Sequence, residues 1–240
     1  MKYNPTVHHR RSIRVKDYDY SRAGTYFLTM CLQSKRCLFG NVVNGEMMLN
    51  DAGKLVQHIW NNLPKRFLSI KLDKYVIMPN HMHGIIICRG EPCVRPESCI
   101  RPEPCVYPKS FIYSEIANEG NLDEYKPSDK HKDQGEHKVR PYGTMDNSIG
   151  RIVQAFKSIT THEYTIGVKT CGWIPFHGKL WQRNYYEHIV RTEDTLNKIR
   201  EYIQYNPLRW HLDRENPEKV GTDALEDEIF KHDTKNDADI

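Results

Sequence analysis

The sequence predicts an α+β fold, an antiparallel sheet with helices packed on it. Three observations lead there. β-Prone runs are linked to one another across tight turns, as in hairpins, which favours an antiparallel sheet. Separate stretches repeat apolar residues at helical spacing. Hydrophobic residues make up 38% of the 240, enough for one real core.

The elements are read in order. "TYFLTMCLQ" (25–33) is rich in strand formers and follows Gly24, so it is expected to be a strand. "NVVNGEMMLN" (41–50) carries Asn44-Gly45, a strong two-residue hairpin signal. Asp51 then opens "DAGKLVQHIWNNLP", in which Leu55, Ile59 and Leu63 mark one helical face. "IKLDKYVIM" (70–78) reads as a strand, Pro79-Asn80 as a turn, and "HMHGIIIC" (81–88) as the strand returning beside it. "SIGRIVQAFKSITTHEY" (148–164) places Ile149, Ile152, Val153, Phe156 and Ile159 on one helical face and leaves Lys157 for another. "WIPFHGKLWQRNYYEHIV" (173–190) is aromatic and basic, with no clear periodicity. Thr192 is a good N-cap, acidic Glu193 and Asp194 suit a helix start, and that helix should stop at Asn206, before Pro207.

Between the two ordered parts, "CVRPES", "CIRPEP" and "CVYPKS" (93–110) repeat one hexapeptide. Proline at every sixth position without apolar periodicity does not build a packed element. Residues 89–142 are therefore expected to form a mobile, low-complexity insertion in a single domain of residues 1–88 and 143–216. Residues 217–240 are expected to be an acidic, flexible tail.

The net charge of +4 is unevenly spread. Residues 211–240 carry 4 Lys and Arg against 10 Asp and Glu, residues 89–142 carry 9 against 10, and the remainder is left with a net +11. So basic a core suits a polyanionic partner, nucleic acid above all, although a solubility surface has the same composition. The opening residues are polar and basic, unlike a signal peptide, and no apolar run approaches the about 20 residues of a membrane helix. Seven cysteines without a CxxC pair point to neither a disulfide framework nor a zinc ribbon. A reduced, cytoplasmic protein is expected.

The chemistry concentrates in "PNHMHGIII" (79–87). Side chains two apart in a strand share a face, so His81 and His83 present two imidazoles roughly 7 Å apart at Cα. That suits two ligands on one metal ion, and also two histidines capping a strand end in contact with water. In "REYIQYNP" (200–207), Tyr202 and Asn206 lie four apart on a helix and share a face. Alone, Tyr202 reads equally as a core aromatic and Asn206 as a C-cap.

Together the pieces resemble the single-tyrosine HUH transposases, and within them the REP-associated tyrosine transposases. HUH denotes His, a hydrophobic residue, His, here His81-Met82-His83 inside "YVIMPNHMHGIII"; the second signature reads "LWQRNYYEHIV" followed by "IREYIQYNPLRW". The resemblance covers residues 10–88 and 147–216. It implies a ferredoxin-like α+β fold of the HUH endonuclease type that nicks and rejoins single-stranded DNA at hairpin or palindromic sequences. It further implies Tyr202 as nucleophile, and His81, His83 and Asn206 as ligands of a divalent ion, Mg²⁺ or Mn²⁺. Many members carry Gln where this chain has Asn206, and the 89–142 insertion is not part of the family pattern. Tyrosine has a free pKa near 10 and needs help as a nucleophile. A divalent ion can polarise the phosphate, and phenolate leaves more readily than an alkoxide, so a DNA hydroxyl can reverse the step without ATP.

DNA contacts are expected from Arg10, Arg11 and Arg14 in "HHRRSIRVK" and from Lys157, Arg183 and Arg191. Tyr185 and Tyr186 are rival nucleophiles. The partner expected is a REP-like single-stranded hairpin, bound by a monomer or a homodimer. The competing readings are a transposase-derived DNA-binding protein without turnover and a metal-dependent hydrolase that activates water.

Overall fold

A computed structural model describes residues 22–89 and 148–231, with the side chains of Phe230 and Lys231 excepted. All of these residues belong to one compact unit. The insertion expected over 89–142 lies outside the described residues except for Arg89, as do Arg10, Arg11 and Arg14.

Four strands form the main sheet: β1 (Gly24–Cys31), β4 (Ile70–Ile77), β5 (His81–Cys88) and β6 (Tyr186–Val190), in the order β4-β5-β1-β6. Every neighbouring pair is antiparallel. β2 (Gly40–Val43) and β3 (Glu46–Leu49) form a separate hairpin. Its tip is Asn44-Gly45, with φ of 52° and 79°, the two left-handed residues that a tight primed turn demands. Helix α1 (Asp51–Arg66) follows the hairpin, α2 (Ile149–Thr170) precedes β6, and α3 (Glu193–Tyr205) follows it. Leaving the hairpin aside, the chain runs β-α-β-β-α-β with a central β5-β1 pair, which is ferredoxin-like topology.

Strand alternation assigns the two faces. Tyr26, Leu28 and Met30 of β1 and Met82 and Ile86 of β5 join Val56, Ile59, Trp60 and Leu63 of α1 and Ile152, Val153 and Phe156 of α2 in the larger core. Phe27 and Ile85 face the other way, onto Leu196, Ile199, Tyr202 and Ile203 of α3. Gly84 sits among isoleucines because the Trp60 indole occupies its side-chain space, 2.4 Å from where a Cβ would stand. Side chains cap the first turns: Asn50 Oδ1 accepts from Gly53 N at 2.9 Å, Ser148 Oγ from Arg151 N at 3.3 Å and Thr192 Oγ1 from Thr195 N at 3.1 Å. A bulge in β4 sets Asp73 and Lys74 against a single residue of β5, and both side chains reach α3.

Two segments differ from expectation. The 173–190 stretch ends in β6, the edge strand that completes the sheet. Of the acidic tail expected to be flexible from residue 217, residues 217–222 are exposed, but from Asp223 the chain packs as far as the structure describes it. Helix α4 (Ala224–Lys231) buries Ile229 against the Tyr202 cluster, because its apolar residues complete a face that α3 leaves open. Among the described residues no helix is long and apolar enough to cross a membrane.

Candidate active site

β5 begins at His81, directly after Pro79-Asn80, and this entry is held from several sides. Pro79 O accepts from Leu38 N at 2.9 Å and Phe39 N at 3.0 Å, and Asn80 O accepts from Leu32 N at 2.8 Å. Asn80 Nδ2 donates to Lys35 O at 3.1 Å and to Glu215 O at 2.7 Å. The amide orientation is thereby defined, and Asn80 Oδ1 faces His81 Nδ1 at 2.8 Å as an acceptor. The proton of a neutral His81 consequently sits on Nδ1 and its Nε2 carries a lone pair.

His83 follows on the same face. Its Nδ1 meets Thr29 Oγ1 at 2.8 Å, and its ring stacks on Phe27 with centroids 5.5 Å apart. The two Nε2 atoms are 3.0 Å apart. Two lone pairs at that separation repel unless a proton or a cation lies between them. Both imidazoles are buried. Burial pushes the His81 pKa below its ordinary value, and burial with the neighbouring His81 pushes that of His83 well below, so both are neutral at pH 7 and able to ligate a metal.

α3 brings Tyr202 onto this pair. Its hydroxyl lies 3.2 Å from His83 Nε2, across 119 residues of sequence, and the ring is 1% exposed. Burial raises its pKa well above 10, and the carboxylates of Asp213 and Glu226 raise it further. At neutral pH Tyr202 is a phenol. With the His81 proton on Nδ1, a proton on His83 Nε2 satisfies the 3.0 Å contact while the Thr29 hydroxyl donates to His83 Nδ1; a metal ion held by both Nε2 atoms would replace that proton.

Asn206, one turn after Tyr202, is buried. Its Nδ2 donates to Asp213 Oδ2 at 2.8 Å. That carboxylate oxygen stands 3.6 Å from His81 Nε2. The ligand atoms of His81, His83 and Asp213 all lie within 4.8 Å of one another, so the three form a group able to hold a metal ion. The donor set fits a divalent cation: two imidazole nitrogens and one carboxylate, all buried, with the Asn206 Oδ1 beside them buried and without a hydrogen-bond partner.

Sequence reading missed Asp213, Asn80 and Thr29. Asp213 comes seven residues after Asn206, in a stretch whose acidity reads as solvated tail. Asn80 carried one signal, adjacency to the histidine pair.

Of the expected DNA contacts, Arg183 and Arg191 are exposed. Lys157 turns inward instead. Its Nζ donates to Gln182 O at 3.0 Å and Asn184 O at 2.9 Å, and burial lowers its pKa to about 8. Tyr185 is packed against the larger core and Tyr186 lies 6.5 Å from the Phe27 ring, so Tyr202 is the tyrosine bonded to His83.

No model of a known protein family matches the chain. Over 216 residues it is 38% identical to an uncharacterized protein of Haemophilus influenzae, covering 89% of this chain and 96% of that one. The chain belongs to the family of that Haemophilus protein. Among solved structures it is similar to a REP-associated tyrosine transposase bound to a REP hairpin. That likeness has 16% identity and a TM-score of 0.44, over 82% of this chain and 74% of that one. It is also similar to a candidate transposase from Deinococcus radiodurans R1, at 13% identity and a TM-score of 0.36, over 80% and 95%.

Proposed function

We propose that this protein is a metal-dependent transposase that nicks single-stranded DNA at hairpin sequences and transfers the strand through a 5′-phosphotyrosine. The observation that carries the reading is the Tyr202 hydroxyl at 3.2 Å from His83 Nε2, inside a buried His-His-Asp group. A core phenol needs only one partner, and a backbone carbonyl would serve. Here the phenol is brought to the one cluster among the described residues with a metal-ligand donor set.

His81, His83 and Asp213 would hold the ion, with Asn206 holding Asp213. When bound, a divalent ion would polarise the scissile phosphodiester and offset the charge developing on it. Nitrogen ligands favour Mn²⁺ in affinity, while Mg²⁺ is the more abundant. Asn80 and Thr29 orient the two imidazoles through their Nδ1 atoms, a role conserved in kind at metal-bound histidines. The Tyr202 oxygen attacks phosphorus, the bond to the 3′ oxygen breaks, and the phenolic proton leaves as that oxygen becomes a free hydroxyl. The product is a 5′-phosphotyrosine, which a DNA hydroxyl reverses in strand transfer. DNA is approached by exposed Arg183 and Arg191, with Arg10, Arg11 and Arg14 adding phosphate contacts. The reaction is placed in the cytoplasm, where hairpin DNA is met.

The test is denaturing electrophoresis after incubation with end-labelled, hairpin-bearing single-stranded DNA and Mn²⁺ or Mg²⁺. The full chain should form a covalent adduct, and Tyr202→Phe should lose it by at least about a thousandfold while still binding DNA. An adduct that survives in Tyr202→Phe and vanishes in Tyr185→Phe or Tyr186→Phe would overturn the assignment. Cleavage with free 5′-phosphate ends, indifferent to Tyr202, would mean a water-activating hydrolase.

A further inference from the structure

An open cleft of about 200 Å³ adjoins the candidate site. Thr29, whose hydroxyl meets His83 Nδ1, lies on its wall, and so does Arg214, the residue after Asp213. The rest of its lining belongs chiefly to the 182–186 stretch: Gln182, whose Nε2 donates to Leu32 O at 3.3 Å and whose Oε1 stays an acceptor, Asn184, and the two tyrosines Tyr185 and Tyr186.

This wall is braced. Gln182 N donates to Cys31 O at 2.9 Å, tying it to β1. Lys157 of α2 donates to the Gln182 and Asn184 carbonyls and stands 5.5 Å from the Tyr185 ring centroid. Lys157 thus positions the wall.

The lining does not match a phosphate track. Arg214 is its cation and Glu215 its anion, the latter 3.4 Å from Lys35 at the rim. Flat aromatic faces with amide donors and acceptors match a nucleobase, whose π-face stacks and whose edge offers hydrogen bonds. A base held in a duplex cannot enter such a cleft. We propose that it seats one unpaired nucleotide next to the scissile phosphate, and that Gln182, Asn184 and Tyr185 read its base. The proposal rests on Tyr202 being the nucleophile for its "next to the scissile phosphate", and on the cleft alone for its ligand.

The experiment uses the full chain carrying Tyr202→Phe, with single-stranded hairpin oligonucleotides in which 5-iodouracil occupies each unpaired position in turn. Photocross-links are mapped by peptide mass spectrometry. One unpaired position should cross-link within residues 182–186. Gln182→Ala with Asn184→Ala should weaken binding about tenfold while the melting temperature falls only by the loss of one side-chain hydrogen bond to Leu32 O. In the chain with Tyr202 intact, the same pair should broaden the base preference beside the cut. Cross-links at every position falling outside 182–186, or a double variant that binds as tightly as its parent, would overturn the proposal. Cross-linking in the cleft without any tyrosine adduct in the intact chain would retain the nucleotide site and refute the transposase reading. An adduct at Tyr202 with no cross-link in the cleft would do the reverse.

Discussion

Asp213 owes its place beside His81 to two neighbours: the Asn206 amide donates to Oδ2 at 2.8 Å, and Glu215 N donates to Oδ1 at 2.7 Å. If Asp213 ligates the ion directly and Asn206 acts through it, their substitutions separate. Asp213→Asn should lower Mn²⁺ affinity about a hundredfold by calorimetric titration, and Asn206→Ala about tenfold, the usual range for a partner that orients a ligand. A larger loss at Asn206 than at Asp213 would make Asn206 the ligand. Glu226 offers a test by pH. Burial and the Asp213 charge raise its pKa from 4.5 to about 7, although Arg214 Nε lies 2.7 Å away. Between those values the folded protein holds a proton that the unfolded chain releases, so this group's contribution to stability is lost as pH rises from 4.5 to 7. Glu226→Gln keeps the neutral form at every pH. It should therefore stabilise the protein by about 1–3 kcal/mol at pH 8 and by nearly nothing at pH 4.5. The histidines titrate in both proteins and cancel in the difference. Equal melting-temperature changes at the two pH values would refute this account of Glu226.

α3 carries Tyr202, and the β4 bulge anchors it. Arg200 Nε and Nη2 grip Asp73 Oδ2 at 3.0 Å and 2.6 Å, and Lys74 Nζ reaches Gln204 Oε1 at 2.5 Å. The Asp73 and Arg200 side chains are 18% and 30% exposed, so their pair is screened less than a surface one. A double-mutant cycle, Asp73→Ala with Arg200→Ala in urea, should return a coupling of about 1 kcal/mol. Additive singles would mean that apolar burial alone docks the helix. Elements of this kind were legible in the sequence wherever one face is apolar and the other polar. The Asn44-Gly45 turn, the α1 and α2 faces, the Thr192 cap and the stop before Pro207 all follow from local chemistry. β6 was not legible. Tyr186, His188 and Val190 take one side of it while Glu187 and Ile189 take the other, so both faces mix polar and apolar residues and no alternation appears. Its pairing with β1 is a long-range fact that no window of sequence contains.

At the scale of the whole molecule, the acidic end of the chain closes the site. Its carboxylates read as solvated because their partners are distant in sequence or hidden by the fold. Asp223 lies 3.5 Å from Arg209, Glu226 grips Arg214, and Asp213 faces His81. The paired histidines and Tyr202 were legible as motifs, whereas the third metal-ligand candidate was not, since it depends on this closure. A chain ending at residue 221 separates the two pictures. A free tail would leave stability unchanged on removal. A packed α4 takes with it the buried Ile229, worth about 1.5–3 kcal/mol for a large aliphatic side chain, and leaves Arg214 without its carboxylate. The truncated protein should lose about 2–4 kcal/mol in urea denaturation. It should also bind Mn²⁺ more weakly, because Glu226 Oε2 accepts from Arg214 N at 3.3 Å and so steadies the backbone that carries Asp213. Unchanged stability and unchanged metal affinity would together mean that α4 neither stabilises the fold nor shapes the site. Lower stability with intact metal affinity would confine its role to the core behind Tyr202.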